Sequence, residues 1–191
     1  MWLRPYLPNL MELFSNIQVN IEDLPKVETL VFQPLERRYR KVLVIFRIIL
    51  ILVVALLLSF FFIALITEPL PGNWNTILYF GLPILFLLFV VWSFVSVVNR
   101  FKNMHYALRQ KDVVYKSGWL WKQMTTIPFN RVQHVSIDQG PIERRFNLSR
   151  LKIFTAGGGA SDMTIPGLDP TTADDLKEYI VKKTLAADEE Q

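Results

Sequence analysis

From Ile48 to Thr67 the chain runs through twenty residues, IILILVVALLLSFFFIALIT, with no charged side chain among them. A helix rises about 1.5 Å per residue, so a run of this length crosses the roughly 30 Å hydrocarbon core of a bilayer. A core helix of a soluble domain would carry a polar face, and this run has none. A second uncharged run, WNTILYFGLPILFLLFVVWSFVSVVN, extends from Trp74 to Asn99. Pro83 lies inside it; within a span the freed carbonyl finds neighbouring partners, so a kink is expected rather than a break. The sequence therefore predicts a transmembrane hairpin over 42–99, with spans at about 42–67 and 74–99. A signal peptide is excluded, because the run is too long for an h-region and lacks a small-residue cleavage site.

The link EPLPGNW contains no Lys or Arg, whereas Arg37, Arg38, Arg40 and Lys41 precede the first run and Arg100 and Lys102 follow the second. By the positive-inside rule these six residues set the topology, with both termini in the cytoplasm and the link around Pro69–Gly72 outside the plasma membrane. Arg47, about one turn inside the first span, is read as snorkelling to the interface. Residues 1–41 are the N-terminal segment and its basic lead-in, with Tyr39 expected at headgroup level. Within it, Leu10, Leu13, Phe14 and Ile17 take helical spacing behind Asn9, as an interfacial helix or a partner-binding segment would.

The charge balance narrows the partners. Residues 1–104 hold nine Lys/Arg against six Asp/Glu, and residues 105–191 hold twelve against eleven. The +4 excess therefore sits mostly beside the apolar region, which points to a membrane and away from nucleic acid. With no cysteine and only His105 and His134, the chain cannot build disulfides, a thiol nucleophile, cysteine-ligated zinc or a histidine-rich metal centre. No metal or cofactor is implied.

Beyond about Met104 the periodicity changes to two. HYALRQKDVVYKSGWLW reads as two strands around a turn at Gln110–Asp112, with further strands in TTIPFNRVQHVSID, LSRLKIFTA and DMTIPG, about six in all. The chain then becomes DPTTADDLKEYIVKKTL: Asp169 can cap, Pro170 suits the first helical position, and Ala173, Leu176, Tyr179 and Ile180 form an apolar stripe. The fold class is α+β: a transmembrane hairpin, then a small antiparallel module over 100–187 closed by a C-terminal helix, and an acidic tail at 188–191.

The run YKSGWLWKQMTTIPFNRVQHVSIDQGPIERRFNLSRLKIFTAGGGASDMTIPGL, followed by A-x-x-L-x-x-Y-I, resembles the bacterial pleckstrin-homology (PH) domain family, and with the preceding spans its YdbS-like membrane proteins. The resemblance covers about residues 35 to 184, and its most specific pieces are IPFNRVQHV, ERRFNLSRLKIFTAGG and IPGL. It implies a bent antiparallel barrel of seven strands plugged by the helix. Where that family usually has glycine, this chain has Asn147, one of the few residues that tolerates a left-handed backbone. The resemblance does not carry a phosphoinositide ligand with it, because a fold does not transfer one.

Two stretches invite a functional reading. Gly157–Gly159 follow a strand and lead into another, with no Gly-Lys-Ser/Thr entering a helix, so they read as a hairpin loop and not a phosphate cradle. Arg144, Arg145, Arg150 and Lys152 are the candidate patch for anionic lipid or a partner. The plain alternative is a solvated strand face with a salt bridge to Glu143 or Asp138. His134, Ser136 and Asp138 have the residue types of a hydrolase triad, but on a strand the outer two stand roughly 13 Å apart, too far for consecutive hydrogen bonds. A non-catalytic module is expected. Its partners would be the bilayer and a membrane protein, with another PH-domain protein or a second copy both compatible; direct binding of anionic headgroups is the alternative.

Overall fold

The computed structural model describes residues 30–68, 71–156 and 162–189. The expected N-terminal helix around Leu10–Ile17 and the glycines 157–159 lie outside the described residues. Two long helices come first, α1 (Tyr39–Thr67) and α2 (Trp74–Lys102), antiparallel across their short link. Their large apolar side chains stay uncovered along their length, with Leu56 70% and Phe60 74% exposed. No soluble core helix behaves this way, and lipid is the solvent such surfaces need. Where the two helices meet, Leu65 of α1 and Ser93 and Val97 of α2 are buried, and the Phe62 and Tyr79 rings lie 5.9 Å apart. α2 continues through Pro83.

The module contains seven strands. They are β1 (Gln33–Pro34), β2 (His105–Leu108), β3 (Asp112–Ser117), β4 (Gln123–Pro128), β5 (Val132–Asp138), β6 (Ser149–Thr155) and β7 (Met163–Leu168). A short helix α3 (Pro141–Arg145) precedes β6, and α4 (Pro170–Glu189) ends the described chain, running into the segment read as an acidic tail. The strands form two antiparallel sheets, β1-β2-β3-β4 and β5-β6-β7. The closed barrel implied by the resemblance is therefore corrected to two open sheets. The ladder breaks between β4 and β5, where Pro128 has no N–H to donate and a 3-10 turn at Phe129–Arg131 intervenes. Bulges between Val132 and His134 and between Ser149 and Leu151 bend the second sheet.

The strand that sequence reading missed is β1. It comes from ahead of the spans and pairs with β2 through Gln33–Tyr106 and Pro34–His105. Two residues are too few to show a period, so no pattern could have announced it. The lead-in continues into the core: Leu35, Tyr39 and Val42 are buried in the same cluster as Leu151, Ile153, Ile165 and Ile180. Tyr39, expected at headgroup level, packs into the module's core and is only 8% exposed. Its ring lies on Gly167, whose φ is +64° and where any Cβ would come 2.4 Å from the Tyr39 ring. Glu36 N–H donates to the Gly167 carbonyl at 3.1 Å beside it.

α4 follows the reading closely. Ala173 and Ile180 are fully buried and Leu176 nearly so, packed toward β5, β6 and the 3-10 turn, while Tyr179 meets Phe129 edge-on at 6.1 Å. Asp169 precedes Pro170 and accepts from the Thr171 hydroxyl at 2.8 Å and from Arg38 at 2.7 Å. The Thr171 contact first, then Arg38, holds its carboxyl below the ordinary 3.8. Asn147 has φ 52°, as expected of the residue standing for glycine.

Candidate functional site

The patch is built on β6 and the helix before it. Along β6 burial alternates, with Ser149, Leu151 and Ile153 inward and Arg150 and Lys152 on the outer face, as the period-two reading requires. α3 starts from Gly140-Pro141 with Glu143 three residues on, a capping pattern. The Glu143 carboxylate accepts the Gly140 N–H at 2.9 Å. It also takes the Arg150 guanidinium at 2.7 and 2.8 Å, while its own side chain is 3% exposed.

These contacts divide the four basic residues. A buried carboxylate needs its partner, so Arg150 is held as the counter-charge of Glu143 and its guanidinium is raised above its ordinary range by that bond. Lys152 pairs across the strands with Asp138, at a half-exposed position where such a pair contributes little. Both acidic partners named from the sequence are thus used. Arg144 and Arg145, in the last turn of α3, are exposed and make no ion pair among the described residues.

The topology residues also separate. Arg38 is drawn into the module through Asp169 and, at 3.5 Å, the Phe146 carbonyl. Arg40, Lys41, Arg100 and Lys102 are exposed at the ends of α1 and α2. Arg37 lies just before α1 and is exposed. His134 stacks on Phe154 at 4.1 Å and Asp138 is taken by Lys152, so two of the three triad-type residues are engaged elsewhere. Among the described residues no group of three or more His, Cys, Asp or Glu could hold a metal ion.

One cleft of about 370 Å³ opens where the spans enter the module. Tyr39, Phe46, Arg100, Tyr115, Glu143 and Arg150 contribute to its wall. Burial, and then the neighbouring Tyr39, push the Tyr115 phenol well above its ordinary 10.0. It therefore stays a neutral donor at any physiological pH. Sequence reading could not find this cleft, because its members come from six separate elements.

Sequence comparison bears on the same residues. The chain is 31% identical over 107 residues to the UPF0699 transmembrane protein YdbS of Bacillus subtilis (strain 168), covering 52% of this chain and 65% of that protein. It is 23% identical over 129 residues to the UPF0699 transmembrane protein YdbT of the same organism, covering 67% of this chain and 25% of that longer protein. The chain thus spans less than two thirds of either relative. No solved structure matches it. The sequence profile of the family described as Bacterial PH domain matches residues 24–184, which takes in β1, both spans, all of both sheets and most of α4. With its two membrane helices and its two-sheet module closed by α4, the chain belongs to the bacterial PH domain family.

Proposed function

We propose that the protein is a non-catalytic assembly platform of the plasma membrane, both termini cytoplasmic, whose PH domain recruits a membrane-protein partner by strand addition. The observation that carries this is the open edge of the first sheet. Among the described residues β4 is hydrogen-bonded on one side only, to β3, and Gln123, Met124, Thr126 and Pro128 along it are exposed. An uncovered edge is a ready template for another chain. A second copy or another PH-domain protein would satisfy it equally. The YdbS and YdbT proteins are named as transmembrane proteins, which is consistent with a membrane-bound platform.

Binding of anionic headgroups is the second reading. It rests on the exposed Arg144 and Arg145 and on Arg100 at the junction cleft. One experiment separates the two. A photo-crosslinking residue is placed at Thr126, at Arg145 or at Lys177 of α4 in the full chain and activated in native membranes. The assembly reading expects a discrete protein adduct from Thr126 and none from Lys177. A phospholipid adduct from Arg145 with no protein adduct from Thr126 would replace it with the headgroup reading. A reporter fused after Gln191 is expected to report the cytoplasm in the same cells.

A further inference from the structure

We infer that the turn between β3 and β4, Gly118–Lys122, is a third membrane contact: Leu120 and Trp121 insert into the headgroup–acyl boundary of the bilayer the two helices cross. Both side chains stand free at the tip of the hairpin, Leu120 62% and Trp121 85% exposed. Such a pair facing water would be a costly apolar surface.

The neighbouring Trp119 locates the tip. Its ring meets that of Trp92 in α2, with centroids 5.2 Å apart. Trp92 belongs to the charge-free stretch of α2, and at about 1.5 Å per residue it lies roughly 12 Å along the helix from Arg100 toward the membrane. The packing of α1 on α2 gives the same depth. Starting from the Phe62–Tyr79 contact, equal steps along the two antiparallel helices bring Trp92 beside Ile49, within the uncharged run of α1. The hairpin tip thus stands alongside the spans at the level where their charges have ended.

The turn is also built to hold its shape. Gly118 has φ +101°, and a Cβ there would fall 1.8 Å from the Trp121 carbonyl oxygen, so the chain folds tightly back on itself. The ladder closes directly beneath it at Ser117–Gln123. A rigid display of indole and isobutyl groups loses little entropy on insertion. Indole also suits this depth, where its ring is apolar and its N–H still reaches polar groups. The exposed Lys122 follows at the position from which an ammonium can reach lipid phosphate. The inference rests on the two helices spanning a membrane, and it holds whichever way they are oriented and whether or not β4 recruits a partner.

The test uses the full chain in vesicles of phosphatidylcholine and phosphatidylglycerol. Because the protein has no cysteine, Trp121→Cys, Leu120→Cys and, as a reference, Lys177→Cys each accept a single environment-sensitive fluorophore. The expected result is blue-shifted emission at positions 120 and 121. Most of it should be quenched by lipids brominated near the glycerol end of the acyl chain, and little by aqueous iodide. Position 177 should behave in the opposite way. Two positions guard against one label disturbing the turn. Iodide quenching at both 120 and 121 equal to that at 177, with no effect of brominated lipid, would overturn the inference.

Discussion

Leu176→Asp is expected to abolish the protease-resistant fold of the PH domain. Leu176 is 8% exposed and sits on α4 between the fully buried Ala173 and Ile180, against the second sheet. Removing its side chain from the core costs about 2–3 kcal/mol, and the aspartate places a carboxylate in an apolar cluster. The sum, on the order of 5 kcal/mol, matches the whole stability of a small domain. Limited proteolysis and thermal unfolding of the full chain in mild detergent would measure it. Lys177→Asp, one position along and exposed, should stay within about 0.5 kcal/mol of the wild type. Wild-type resistance in Leu176→Asp would mean that α4 does not close the domain.

Gly167→Ala is expected to weaken the domain by on the order of 3 kcal/mol, a large effect for one methyl group. Left-handed backbone at φ +64° costs an alanine about 1–2 kcal/mol. The methyl would also meet the Tyr39 Cγ at 2.4 Å and Cβ at 2.6 Å, so either the ring or β7 must move, an overpacking cost of about 1–3 kcal/mol. The second contribution has its own signature. In a Tyr39→Ala background the same substitution should cost distinctly less, because the clash has gone and only backbone strain remains. Equal costs in the two backgrounds would show that Tyr39 does not rest on Gly167.

Local patterns in the chain were readable wherever a period or a cap was long enough to register. The two spans, the alternation along β6, and the stripe and cap of α4 all follow from neighbours in sequence, while the left-handed Asn147 follows from the family resemblance. Tyr39 is the instructive exception. Placed between Arg38 and Arg40, it reads as an interfacial aromatic, and only the distant glycine of IPGL makes room to bury it. A glycine that clears space for a ring more than a hundred residues away looks, in sequence, like any turn glycine. β1 is hidden for a related reason, since two residues gain strand character only from the β2 edge they join. Of the candidate patch, both acidic partners were legible as nearby opposite charges. The sequence could not say that Glu143 is buried, and that burial is what turns Arg150 from a free cation into a structural one. The barrel expectation failed at Pro128, where the missing N–H was visible but its effect on sheet closure was not.

These contacts bind the domain to its anchor. α2 runs to Lys102 and β2 begins at His105, while the lead-in and the first turn of α1 supply one strand and three core side chains. The spans and the PH domain are therefore one folded unit held at the bilayer surface, which is what both strand-edge recruitment and hairpin insertion require. The direct measurement is protease resistance of residues 104–187 expressed alone, compared with the same segment joined through a flexible linker to residues 30–42 in place of the spans. The account predicts that the first is degraded and the second resists, because only the second restores β1, Leu35, Tyr39 and Val42 to the core. Equal resistance of the two would contradict it.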